Sequence, residues 1–159
     1  MESIFHEIKA AIKANAPEIK WIDLDEGQLE HFDKPPVDYP CLLVGFPQAN
    51  YSNTGDMQTA DLSITVKLAF KIWEKFNAAV PLANQPTAFD HFNIIRKVNK
   101  ALHGLPGDDR TELMRVRMQK NNSPDPKVYE IVYECAYFDY TTMVAYESIP
   151  KPDLQLAQN

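Results

Sequence analysis

Glycine is scarce in this chain, with five in 159 residues. No dinucleotide fingerprint, Walker loop or G-x-S-x-G elbow can be assembled from them, which removes the chemistries those loops serve. Cysteine is scarcer still. Cys41 and Cys135 are the only two, both inside strand-like apolar runs, so two buried reduced thiols are expected in place of a disulfide frame. Long apolar runs are missing: none approaches the ~18 residues of a membrane span. The opening stretch carries Glu2, His6, Glu7, Lys9 and Lys13; it reads as a charged helix and not as a signal peptide. Cationic charge is in deficit, with 16 Lys and Arg against 22 Asp and Glu and a net charge of −6. Such a chain gains little from counterion release on a nucleic acid or from an anionic membrane, so neither is expected as a partner.

Catalytic and metal-binding patterns are also lacking. The four histidines, His6, His31, His91 and His103, have no second ligand at metal spacing, and each reads as a satisfied or exposed side chain. Asp90 and His91 are adjacent on a predicted helix, where neighbours point about 100° apart, so they form no relay with one another. Both read as helix surface. The carboxylates Asp23, Asp25, Glu26, Glu30, Asp33 and Asp38 are dense, but nothing selects two of them as a catalytic pair. A solvated acidic loop accounts for them, or a surface facing a partner or a pore. No cofactor is expected, and no enzyme activity.

The composition that remains, 45% apolar and 24% charged, is that of an ordinary globular domain. We read one domain over residues 1–146, with a flexible tail over 147–159. Ser3–Asn15 has helical apolar spacing (Ile4, Phe5, Ile8, Ala11, Ile12), with Ser3 as N-cap and Pro17 as stop. Ile19–Leu24 and Cys41–Phe46 read as short strands. Pro47–Thr59 and Glu74–Pro86 read as long loops. Asp61–Trp73 alternates strictly, with Leu62, Ile64, Val66, Leu68 and Phe70 on one side, and predicts a long strand. Thr87–His103 predicts a second helix with a stripe of Phe89, Phe92, Ile95, Val98 and Leu102, stopped by Gly104. The order α-β-β-β-α-β-β implies an α+β fold: an antiparallel or mixed β-sheet with two α-helices packed on it.

The last third predicts a hairpin of Leu113–Asn121 and Val128–Val144. Pairing Asn121 with Val128 sets Gln119 opposite Glu130 and Arg115 opposite Glu134 on a charged face. It sets Met118 opposite Ile131 and Val116 opposite Tyr133 on an apolar one. The charged row Arg115, Arg117, Glu130 and Glu134 and the outward aromatics Phe138 and Tyr140 are candidate protein contacts. Asn50, Tyr51, Asn53 and Asp56 from one long loop and Phe76 from the other join them.

Taken in order, the opening helix (SIFHEIKAAIKA), the proline-led strand (DYPCLLVGF), the alternating strand (ADLSITVKLAFKIWEK), the helix AFDHFNIIRKVNKALHGL and the hairpin (ELMRVRMQK, VYEIVYECAYFDY) resemble the bacteriophage tail terminator, or tail completion, proteins. The resemblance spans Ser3 to Tyr140 and rests on order and spacing. It implies a minor tail protein of a phage or prophage, without catalytic residues, closing into a homo-hexameric ring with head-to-tail contacts. Its partners are then itself, the tail-tube protein and head–tail connector proteins. Its location is the bacterial host cytoplasm during assembly and the virion tail afterwards. A head–tail adaptor or tube subunit of the same outline, or a small ligand-binding or hydrolytic domain, are the alternatives. The last would show a polar pocket with perturbed ionisable groups.

Overall fold

A computed structural model describes residues 1–30, 34–54, 57–71, 90–121 and 125–141. Its order is α1 (Glu2–Asn15), β1 (Trp21–Leu24), β2 (Cys41–Thr54), β3 (Met57–Phe70), α2 (Asp90–Leu102), β4 (Met114–Lys120) and β5 (Lys127–Asp139). This is the α+β fold expected. The five strands form one mixed sheet in the order β1-β2-β3-β5-β4. β1 pairs parallel to β2, and every other pairing is antiparallel.

Both helices lie on one face of the sheet. Ile4, Ile8 and Ile12 recur every four residues along α1 and are fully buried, as the i, i+4 spacing of an amphipathic helix requires. From α2 come Ile95, Val98 and Leu102. They meet Leu42 and Val44 of β2, the even-numbered row Leu62–Phe70 of β3, and Tyr129, Ile131 and Tyr133 of β5 in a single core. Strict alternation in β3 is what makes this face continuous. On the opposite face Cys41, Ala69 and Val128 form a smaller cluster, covered by Leu29, Val37 and Tyr39 from the β1–β2 connection. Leu43 and Val132 are buried on that face as well, and around them it carries Thr65, Lys67 and Glu130.

Several expectations change. Ser3 is not the N-cap: the helix begins at Glu2 with Met1 before it and no capping side chain, and the Ser3 hydroxyl donates instead to Asp109 Oδ2 at 3.2 Å. Pro47–Thr59 is not a loop. β2 runs on to Thr54, pairing Gln48–Thr54 with Met57–Ser63, and the register shifts between Gly45 and Gln48. Pro47 occupies that bulge, where a residue without an N–H is tolerated within a sheet. His91 is not helix surface but buried, whereas Phe92 of the expected stripe is 42% exposed. The predicted helix start at Thr87, its stripe residue Phe89, the Glu74–Pro86 connection and the 147–159 tail lie outside the described residues.

Arg110 fastens the segment that links α2 to β4. Its side chain is fully buried, and its guanidinium donates to Glu7 Oε2 at 2.5 Å, Leu105 O at 2.7 Å and Pro106 O at 3.0 Å. The first helix and the α2–β4 link thus converge on one charge. A charge removed from water persists only where such partners replace its hydration. Gly107 makes room for it, since a Cβ there would stand 2.8 Å from Arg110 Cζ.

Candidate interaction surface

The surface is built from the sheet outward. β4 is the edge strand, and all seven of its residues are exposed. Neither helix extends over it, so both of its faces meet solvent: Met114 is 49% exposed, Val116 52% and Met118 46%. Three apolar side chains on one bare edge strand are unusual for a surface that meets only water. The strand also carries Arg115, Arg117 and Lys120 and no carboxylate.

The β4–β5 register agrees with expectation from Arg117 to Lys120, with Arg117↔Val132, Met118↔Ile131 and Gln119↔Glu130. The Asn121 amide donates to Val128 O at 2.8 Å, closing the predicted pair. A shift between Arg115 and Arg117 then corrects the remainder: Arg115 stands opposite Tyr133, and Met114 takes the place opposite Glu134. Val116 is the extra residue of a bulge, which turns Arg115 to the helix side of the sheet while Arg117 stays on the outer side. Arg115 and Glu134 therefore do not form the charged pair expected of them, and neither Val116 nor Tyr133 has the other as its partner.

The other charged candidates are partly engaged within the chain. Glu130 accepts from Arg117 at 3.3 Å and from Gln119 Nε2 at 3.1 Å. Part of the acidic connection is neutralised too: Lys67, on the outer face, binds Asp25 at 2.8 Å and Glu30 at 2.6 Å. Burial by itself would lower the Lys67 pKa, but the hydrogen bonds that the ammonium donates to these two carboxylates, with their charges, outweigh it and hold the ammonium above its ordinary range. Asp33 lies outside the described residues, which leaves Asp23, Glu26 and Asp38 as the exposed or half-exposed remainder.

The end of the β2–β3 hairpin collects the polar candidates. Asn50 stands opposite Asp61 and accepts from Gln48 Nε2 at 3.1 Å; Asn53 stands opposite Gln58 and accepts from its Nε2 at 2.9 Å. Ser52 and Thr59 share a hydroxyl hydrogen bond of 2.8 Å across the same ladder. Tyr51 is 51% exposed. β5 backs this hairpin as far as the pairs Thr59↔Phe138 and Gln58↔Asp139. Phe138 is thereby brought next to the hairpin and half-buried, and Tyr140 follows at 52% exposure. One molecular end therefore unites Asn50, Tyr51, Asn53, Phe138 and Tyr140. Arg115, Arg117 and Glu130 belong to the β4 edge. Asp56 and Phe76 lie outside the described residues.

Two groups of surface residues escaped the sequence reading. Trp21 and Leu24, 36% and 39% exposed, mark β1 as the second free edge. Val116 and Met118 are expected on the apolar face of the hairpin, because their alternation is that of a half-buried strand, yet they and Met114 are exposed. Only the strand order shows that, among the described residues, no layer covers them.

Little in this arrangement suggests reaction chemistry. His91 Nε2 and the Tyr129 hydroxyl are 3.2 Å apart, enclosed by Phe70 and Phe92. Burial pushes the Tyr129 and Tyr133 phenols up, and the Cys41 thiol up to about 11, so all three stay protonated near neutrality. Among the described residues no group of three or more His, Cys, Asp or Glu side chains converges as a metal site. A shallow outer-face groove of about 530 Å3, between Asn50, Asp61, Ser63, Met114 and Glu134, is open to solvent. No described helix is long and apolar enough to cross a membrane.

No protein-family model matches the chain, and no curated protein matches it. Among solved structures, a chain from the virion of a native gene transfer agent particle aligns at 14% identity with a TM-score of 0.41, covering 87% of this chain and 95% of that one. At that score the likeness bears on neither fold nor function.

Proposed function

We propose that this chain is a non-enzymatic structural subunit of a phage-type virion: a tail terminator that closes into a homo-hexameric ring, caps the tail tube and presents the surface to which the head connector docks. The element order and spacing that resemble tail terminators support the identity. The observation that carries the assembly role is β4, a strand seven residues long and exposed throughout, bearing Met114, Val116 and Met118 on a free edge. An edge of that kind is a template for pairing unless something covers it. The polar and aromatic end of the β2–β3 hairpin, with Tyr51 and Tyr140, provides a second contact surface for the tube or a neighbour, since half-exposed tyrosines offer large, stiff contact area.

Multi-angle light scattering and negative-stain microscopy of the purified chain test this reading, alone and with the tail-tube protein of the same element. A closed ring of six copies, alone or on the tube end, is the expected result. A monomer under every salt and concentration condition that also ignores the tube protein would overturn it.

A further inference from the structure

We infer that the ring contact is a sheet continuation, in which the free edge of β4 in one copy pairs antiparallel with the free edge of β1 in the next. The inference rests on the ring reading and names its interface. Among the described residues no strand pairs with the outer side of either β1 or β4. Following the pairings across the sheet, β1 and β2 run one way, β3 the other, β5 with β2, and β4 against it. β4 and β1 are therefore antiparallel. A second copy set beside the first in the same orientation brings its β1 to β4 with the polarity an antiparallel ladder needs.

The outward backbone groups of β4 are in the right place, and on β1 the Leu24 amide, which donates to Asp23 Oδ1 at 2.9 Å, exchanges that acceptor for one on β4. The Asn121 amide donates to Val128, and hydrogen-bonded pairs alternate along an antiparallel ladder. Gln119 and Arg117 thus also point their amides at β5, while Met118 and Lys120 point theirs outward. The charges select the partner. β4 carries three cations and no carboxylate, so a two-fold pairing of β4 with β4 would set cation against cation. The C-terminal half of β1 and the turn after it hold Asp23, Asp25 and Glu26. Lys9, Lys13 and Lys20 lie toward the other end of β1. Antiparallel pairing directs the Arg115 and Arg117 end of β4 to the acidic end of β1.

Side-chain parity narrows the register. Met118 and Leu24 are the exposed apolar side chains on the helix side of their strands, opposite Ile131 and Val44 respectively. Setting them against each other directs Arg117 toward Asp25, whose other partner is Lys67 at 2.8 Å, and Gln119 toward Asp23 on the outer face. The contact is heterologous, since one edge meets a different edge, and a closed rotation of such contacts gives a ring.

The test is cross-linking of the full chain carrying Met118→Cys and Leu24→Cys, oxidised with copper phenanthroline and resolved on non-reducing gels. Both positions are exposed, and circular dichroism verifies the fold. The native thiols are both buried, with pKa values raised by burial, so the unmodified chain serves as the blank. The expected result is a ladder of dimers, trimers and higher species from the double variant, only dimers from a mixture of the two single variants, and monomers from either single variant alone. Dimers from Met118→Cys alone would overturn the proposal in favour of a two-fold β4 contact. An oligomer by light scattering without a ladder would overturn the edge pairing and leave the ring reading standing. A monomer throughout would overturn both.

Discussion

Arg110 and Gly107 form a tight joint. The guanidinium stands where a Gly107 Cβ would approach it within 2.8 Å, and the atoms it would strike are held by Glu7, Leu105 and Pro106. Gly107→Ala is expected to destabilise the fold by about 1–3 kcal/mol, the usual range for overpacking. Arg110→Met, which leaves those acceptors without their donor, is expected to cost about 3–5 kcal/mol. Urea denaturation measures both, and a midpoint unchanged in either variant contradicts the role assigned to Arg110. Cys41 gives a pH signature. Its thiol rises from an ordinary 9.0 to about 11 because it is buried between sheet and loop. The folded chain keeps a proton that the unfolded chain releases, so this contribution is complete below pH 9.0 and is lost as the pH rises toward about 11. Lys67, also raised, contributes a loss of the same sign starting above its ordinary 10.5. Cys41→Ala is expected to flatten the fall in stability between pH 9 and 11. Denaturation midpoints across that interval measure it.

Among the elements, the hairpin formed by β2 and β3 departs most from the expected pattern. Residues 48–54 offer only Ala49 and Tyr51 as apolar side chains on the helix-side face and none on the other, so the apolar alternation that reveals a strand is too short to read. The ladder is nonetheless continuous through Asn53↔Gln58. Amide hydrogen exchange is expected to show protection in alternate residues of 48–54, where a loop would exchange throughout at solvent-limited rates. By contrast, the alternation in β3, the four-residue spacing in α1 and the stop at Gly104 were legible, because each is a local pattern with one structural solution. Gly104 adopts φ +81°, the left-handed region that a side chain resists.

The described residues form a sheet covered by helices on one side, with unlike edges. If those edges meet as proposed, screening weakens the contact of Arg115 and Arg117 with Asp23, Asp25 and Glu26. Arg115→Glu together with Arg117→Glu is expected to reduce self-association strongly and to abolish its salt dependence. Light scattering from 50 mM to 1 M salt measures this; self-association that persists unchanged in the variant contradicts the charge argument. The candidate contacts divide at this scale as well. Asn50, Tyr51, Asn53, Phe138 and Tyr140 gather at one end, and Arg115, Arg117 and Glu130 lie along an edge, a separation that no linear pattern contains.

What the chain determines by itself is local: which residues can share a helix stripe or a strand face, where glycine ends a helix, and that no catalytic or metal-binding pattern is spelled out in it. These follow from periodicity and backbone sterics, which act within a few residues. The tertiary structure alone decided that β1 and β4 end the sheet among the described residues, that a bulge turns Arg115 away from Glu134, that His91 is interior, and that Arg110 ties the α2–β4 link to α1. Each of these depends on which distant strand or helix lies alongside. Burial and pairing are properties of neighbours in space, and a row of alternating side chains looks the same whether or not another layer comes to rest on it.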